Sequence, residues 1–174
     1  VVGDPIGRTE CSIHAGSPSF VSQFQTNAPS AVVGSASSRL VSAAADGAQA
    51  SAGSLNRPSL SADARFVAFD SAAANLTAAD ANDRDDVFVK DMLTGAIRRA
   101  SEGPGGEAMG GGLEGTLRPA LSADGRYVVF ATAAAMLPGD TNGVIDIYRK
   151  DLLTGGLVRV SVTAGGLQGN AESR

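Results

Sequence analysis

The chain has 174 residues with no Trp, six Phe, two Tyr and 22 Gly, a composition that suits short strands and tight turns better than helices packed through bulky layers. Its net charge is −4, from 14 basic and 18 acidic residues, with no run of Lys or Arg, so neither nucleic acid nor an anionic membrane finds an electrostatic partner and cations are favoured instead. No apolar stretch reaches the roughly 18 residues of a membrane-spanning helix.

The chain opens on Val1 rather than Met, the expectation for a processed or trimmed chain, and a removed signal peptide fits an extracellular or periplasmic location. Cys11 is the only cysteine, so it forms no internal disulfide and no Cys-rich zinc site, and Cys11-Ser-Ile-His14 lacks the second cysteine of a haem attachment site. Ser17-Pro-Ser-Phe20 faintly echoes Arg57-Pro-Ser-Leu60, but Pro18 stands too close to Pro58 to share the spacing of the units that follow. Arg39-Leu-Val-Ser42 resembles Arg98-Arg-Ala-Ser101 at an offset of 59.

Arg57-Pro-Ser-Leu-Ser-Ala-Asp-Ala-Arg-Phe-Val-Ala-Phe69 is repeated by Arg118-Pro-Ala-Leu-Ser-Ala-Asp-Gly-Arg-Tyr-Val-Val-Phe130 at a constant offset of 61. Asp80, Asn82, Asp86, Asp91, Gly95 and Ser101 then meet Asp140, Asn142, Asp146, Asp151, Gly155 and Ser161 at an offset of 60, the lost residue falling in a connection. Within each unit the period-2 alternation predicts four short antiparallel strands in a meander. The first starts at Pro58–Leu60 and ends in the turn 61–64. The second is Arg65–Ser71 and Arg126–Thr132, with Phe66/Tyr127 and Ala68/Val129 on one face and Val67/Val128 and Phe69/Phe130 on the other. The third is Asp86–Lys90 and Asp146–Lys150, followed by a hairpin at Gly95 or Gly155, where positive φ is wanted. Ala96–Ser101 and Gly156–Val162 complete the units.

Together with the Gly-Asp-Thr-Asn-Gly-x-x-Asp-Ile-Tyr-x-x-Asp-x-x-Thr-Gly run, this pattern resembles the TolB-type β-propeller repeat in its longer, calcium-loop variant, over residues 36 to 174. The resemblance implies an all-β fold of four-stranded propeller blades, about two and a half of them in this chain. It divides the chain into a non-repeat segment or degenerate blade at 1–35, the end of a preceding blade at 36–55, one blade at 56–115, and a second blade with the lead-in to a next at 116–174. Ala64 departs from the Gly of the pattern, which strains that turn slightly.

The chief chemical feature is the pair of D-x-N-x-x-x-D loops. Calcium takes six to eight hard oxygens, and alternating side-chain oxygens with one carbonyl let a short segment wrap the ion. The expected ligands are Asp80, Asn82 and Asp86 with the carbonyl of Arg84, and Asp140, Asn142 and Asp146 with the carbonyl of Val144. The competing reading is that Asp and Asn here make Asx-turns with no metal. Asp85, Asp91 and Asp151 read as turn and strand-end residues.

Catalysis has poor materials. His14 is the only histidine and no serine sits in a G-x-S-x-G elbow. Glu102, Glu107 and Glu114 lie in a Gly-rich connection and read as solvated, and Gly103–Gly112 lacks the Gly-Lys-Ser/Thr ending of a phosphate loop. The expectation is therefore not an enzyme but a secreted, calcium-stabilised structural or protein-interaction module. Propellers need about four to eight blades to close, so the partners are other blades or further copies of the chain, joined by strand edges into a ring or filament. Two alternatives remain open: an accessory propeller of a larger extracytoplasmic hydrolase or peptidase, and a glycan or small-ligand binding module.

Overall fold

The computed structural model describes residues 38–54, 57–78, 80, 82, 84–106 and 118–173. Eight strands are present among them: β1 (Ser59–Leu60), β2 (Phe66–Ser71), β3 (Asp86–Asp91), β4 (Ile97–Arg99), β5 (Ala120–Leu121), β6 (Tyr127–Thr132), β7 (Asp146–Asp151) and β8 (Leu157–Arg159). They form two four-stranded antiparallel sheets, β1-β2-β3-β4 and β5-β6-β7-β8. The registers match: Phe66 faces Asp91 and Phe69 faces Phe88 in the first, as Tyr127 faces Asp151 and Phe130 faces Tyr148 in the second. Two consecutive four-stranded meanders stacked face to face are two blades of a β-propeller.

Local chemistry sets each turn. Ser61 Oγ donates to Asp63 at 2.6 Å, and the backbone N–H groups of Arg65 and Phe66 donate to Asp63 Oδ1 and Ser61 Oγ at 3.0 and 2.9 Å. Ser122 and Asp124 repeat this before Tyr127. At the far hairpin, Asp91 Oδ1 accepts from the N–H groups of Leu93 and Thr94, while Arg65 grips the same carboxylate at 2.8 Å; Arg126 holds Asp151 at 2.7 Å. Asp91 and Asp151 are thus the turn and strand-end residues that the sequence suggests. β2 and β6 begin one residue after the expected Arg65 and Arg126, whose side chains serve these ion pairs. β4 and β8 are shorter than Ala96–Ser101 and Gly156–Val162, because the N–H groups of Val87 and Ile147 bond to the hydroxyls of Ser101 and Ser161, where a ladder would use carbonyls.

The predicted faces hold. Ala68, Val87, Val89 and Ala100 of the first blade, with Phe66 beside them, pack against Val128, Phe130, Met136 and Tyr148 of the second. The opposite face of the first blade buries Phe69 and Phe88 with Ala73 and Leu76, against Val41 and Ala50. Each large side chain buried here contributes about 1.5–3 kcal/mol. Two backbone contacts fix the stacking: Ala62 N–H donates to Ala123 O at 2.8 Å, and Leu121 N–H to Ser59 Oγ at 3.0 Å. Two buried ammonium groups add to this. Lys90 Nζ donates to the carbonyls of Ala43 and Ala44, and Lys150 Nζ to that of Glu102 at 3.3 Å.

The turn before the second strand differs between blades. Gly125 has φ +70°, and a Cβ there would fall 2.3 Å from Phe66 Cδ2. Ala64, its counterpart, holds φ 55° with a side chain. Ala64→Gly should relieve roughly 1 kcal/mol of left-handed strain and raise the melting temperature by about 2–4 °C, whereas Gly125→Ala should lower it by more. Calorimetry of the two variants checks both signs.

Arg126, then the N–H groups of Leu153 and Thr154, hold the Asp151 carboxyl well below the usual carboxylate range. A depressed folded-state pKa gives stability that is present above the ordinary carboxylate pKa and lost as pH falls through and below it. Asp151→Asn should therefore flatten the acid limb of a urea-midpoint against pH curve relative to the unmodified chain. An identical slope in both proteins would remove this attribution.

Candidate functional site

Each acidic loop returns to its own blade, because the carboxylate that ends it is the first residue of the third strand. Asp86 and Asp146 are fully buried there, and Asp80 and Asp140 nearly so. In both blades the serine two residues after the last residue of the fourth strand donates its hydroxyl to the strand-start carboxylate: Ser101 to Asp86, and Ser161 to Asp146.

An arginine bridges each carboxylate pair. Arg99 Nη1 lies 3.4 Å from Asp80 Oδ1 and 3.7 Å from Asp86 Oδ2, and Arg159 Nη1 lies 3.6 Å from Asp140 Oδ1 and 3.7 Å from Asp146 Oδ2. Strand register places both. Arg99 pairs with Phe88 and Arg159 with Tyr148, two residues along from the buried carboxylate on the same face. Arg99 is 4% exposed. Arg99 Nε, Arg159 Nε and Arg159 Nη1 have no hydrogen-bond acceptor among the described residues, so charge more than directed bonding holds the arginines.

The remaining expected ligands serve the loops themselves. Asn82 Oδ1 accepts from Arg84 N–H at 3.1 Å and its Nδ2 donates to Asp86 Oδ2 at 3.0 Å. Asn142 Oδ1 accepts from Val144 N–H at 3.1 Å and its Nδ2 donates to Gly169 O at 2.9 Å. Arg84 is exposed and Val144 half-buried. Gln168 Nε2 reaches both carboxylates of the second loop, 2.8 Å from Asp140 and 3.1 Å from Asp146. The structure thus brings together Asp80, Asn82 and Asp86, and likewise Asp140 and Asp146, but it surrounds the carboxylates with N–H and O–H donors. Calcium needs converging oxygen lone pairs, and among the described residues no three carboxylate, imidazole or thiol groups gather to supply them. As placed, the loops are a poor donor set for that ion.

The blades also differ at one hydroxyl. Tyr148 donates its hydroxyl to Asp140 Oδ2, and burial, followed by that bond, pushes the phenol well above its ordinary range. Phe88 stands at the matching position with no hydroxyl, and Asp80 Oδ2 is buried without a hydrogen bond among the described residues. Burial, then the neighbouring Asp86 charge, pushes the Asp80 carboxyl up, against the pull of Arg99.

Sequence reasoning misses Arg99, Arg159, Tyr148 and Gln168. Their signal is faint: Arg and Ser recur at fixed distance from the acidic loop, but an arginine in a short strand reads as a solvated cation. Glu102 is corrected as well. It is half-buried and lies 3.5 Å from Lys150 Nζ, not solvated, because the connection folds back over that ammonium. Cys11, His14, Glu107 and Glu114 lie outside the described residues.

Phe88→Tyr should give Asp80 the donor it lacks and stabilise the chain by about 1 kcal/mol, and Tyr148→Phe should cost about 1–3 kcal/mol by orphaning Asp140 Oδ2. Urea unfolding of both variants decides. A destabilised Phe88→Tyr would mean that the first blade has no room for the hydroxyl.

No protein-family model matches the chain, and no curated protein does. Among solved structures it is similar to TolB from Acinetobacter baumannii, at 22% identity and a TM-score of 0.39, over 69% of this chain and 23% of that one. It is also similar to the β-propeller domain of the Trilobed protease from Pyrococcus furiosus, at 19% identity and 0.39, over 64% and 28%. A third is acylaminoacyl peptidase from Pyrococcus horikoshii, at 18% and 0.36, over 63% and 14%. The chain spans about a quarter or less of the first and last of these, and the likeness extends to fold alone.

Proposed function

We propose that the chain is a protein-interaction module that docks blade to blade, and that its partner is a second copy of itself. The observation that carries this is the outer face of the second blade. In the first blade, the face bearing Ala68, Val87, Val89 and Ala100 is buried under the second. The matching positions of the second blade are Val129, Ile147, Arg149 and Val160, and Val160 is 50% exposed. Val158 at 44% and Val162 at 40% extend the same alternation. Tyr127, between the guanidinium groups of Arg126 and Arg149 at 4.9 and 4.8 Å from its ring, gives the face a cationic rim.

A row of alternating valines along β8 and the segment that follows it, presented to water, is the kind of surface that recruits another sheet. Inside this chain the surface that complements such a face is the opposite side of a blade, which carries Val128, Phe130 and Tyr148; the matching side of the first blade lies under Val41 and Ala50, so a second copy meets or displaces that covering segment. Two different faces meeting make a head-to-tail contact, which closes into a ring or extends into a filament according to the rotation between copies. This reading needs no catalytic group.

Size-exclusion chromatography with light scattering tests it on the full chain. The mass should rise with concentration above the 17.4 kDa of one copy, and Val158→Asp/Val160→Asp should return it to one copy with the melting temperature kept. A single-copy mass at every concentration would sink the proposal.

A further inference from the structure

We infer that the cation of each acidic loop is built into the chain: the guanidinium groups of Arg99 and Arg159 take the place that a metal ion would occupy, and the loops hold their form without one. In both blades a single nitrogen, Nη1, faces one oxygen from each end of the loop, at 3.4 and 3.7 Å in the first blade and 3.6 and 3.7 Å in the second. That is where an ion bridging the two aspartates has to sit.

Of the four carboxylate oxygens turned away from the arginines, three are engaged by hydroxyl donors, and the fourth, Asp80 Oδ2, has no hydrogen bond among the described residues. Asp86 takes the Ser101 hydroxyl and the Asn82 amide, Asp146 takes Ser161 and Gln168, and Asp140 takes Tyr148 and Gln168. A carboxylate lone pair given to an N–H or O–H is not free for a metal. Bringing a divalent ion into the same space would set it within about 4 Å of a buried positive charge, a repulsion that low-dielectric surroundings strengthen. Two carboxylates and one guanidinium make each bridged group a charge-compensated cluster, with hydroxyl and amide donors around it.

The repeat supplies an internal control. The arginine and the serine two positions on recur at an offset of 60 together with the aspartates they serve, so the cation travels with the loop in both copies. The inference does not depend on how the outer face of the second blade is used.

The second loop carries its own reporter, since the Tyr148 hydroxyl is hydrogen-bonded to Asp140. The full chain is titrated with terbium while tyrosine is excited, and its thermal unfolding is followed in about 1 mM calcium, the range of extracellular calcium modules, and in excess chelator. The expected result is terbium emission no greater than that of an Asp146→Asn control, and one melting temperature in both buffers. Arg159→Gln, which removes the charge, should melt on the order of 10 °C lower in either buffer. Saturable terbium emission abolished by Asp146→Asn, or a melting temperature that falls on chelation, would overturn the inference. So would an Arg159→Gln chain that melts like the unmodified one. The terbium and chelation measurements on the unmodified chain decide the matter even if that variant does not fold.

Discussion

A carboxylate with no access to water begins the third strand of each blade, and several segments of chain are arranged around it. Leaving an ionised group in that position costs several kcal/mol unless charge and hydrogen bonds compensate it. At Asp86 the compensation comes from the fourth strand through Arg99, from the residue beyond it through Ser101, and from the long loop through Asn82. At Asp146 it comes from Arg159, Ser161 and Gln168. One buried charge therefore dictates where the fourth strand ends, how the loop before the third strand closes and, in the second blade, where the chain beyond β8 returns.

Stacking of the blades depends on that arrangement in turn. The side chains that carry it share a face with Phe88 in the first blade and with Phe130 and Tyr148 in the second. A core of phenylalanine, valine and alanine thus lies alongside a closely connected polar network. Removing one member of such a network leaves its partners buried and bare, so the cost of a single loss exceeds the worth of one bond. The first blade shows a milder form of this at Asp80, where the tyrosine hydroxyl of the second blade is missing.

Much of the architecture was legible in the chain. The repeat that sets Arg57–Phe69 over Arg118–Phe130, the alternation of Phe66–Ser71 and Tyr127–Thr132 and the hairpin glycines lead to two meanders with the right faces, since a strand has only two sides and a tight turn admits few residues. Asp91 and Asp151 were legible as structural for the same reason. The site was not. Two aspartates and an asparagine spaced over seven positions look the same whether a metal, water or an arginine sits among them, and the deciding cation arrives from another strand, on the far side of the hairpin that follows Asp86. Its presence depends on the pairing of Phe88 with Arg99, which is a matter of register rather than spacing. Likewise, Lys90 and Lys150 alternate like solvent-facing residues, and only the preceding segment folding over them buries their charge.

Those two lysines give the stack a polarity. Each ammonium belongs to one blade but closes on carbonyls that precede that blade: Lys90 on Ala43 and Ala44, Lys150 on Glu102. In a nearest-neighbour description of a repeat protein such a bond belongs to the junction and not to either unit. Because the preceding segment is what covers each ammonium, its loss opens that cation to water as surely as the melting of the cation's own blade does, and the junction fails as one unit from either side.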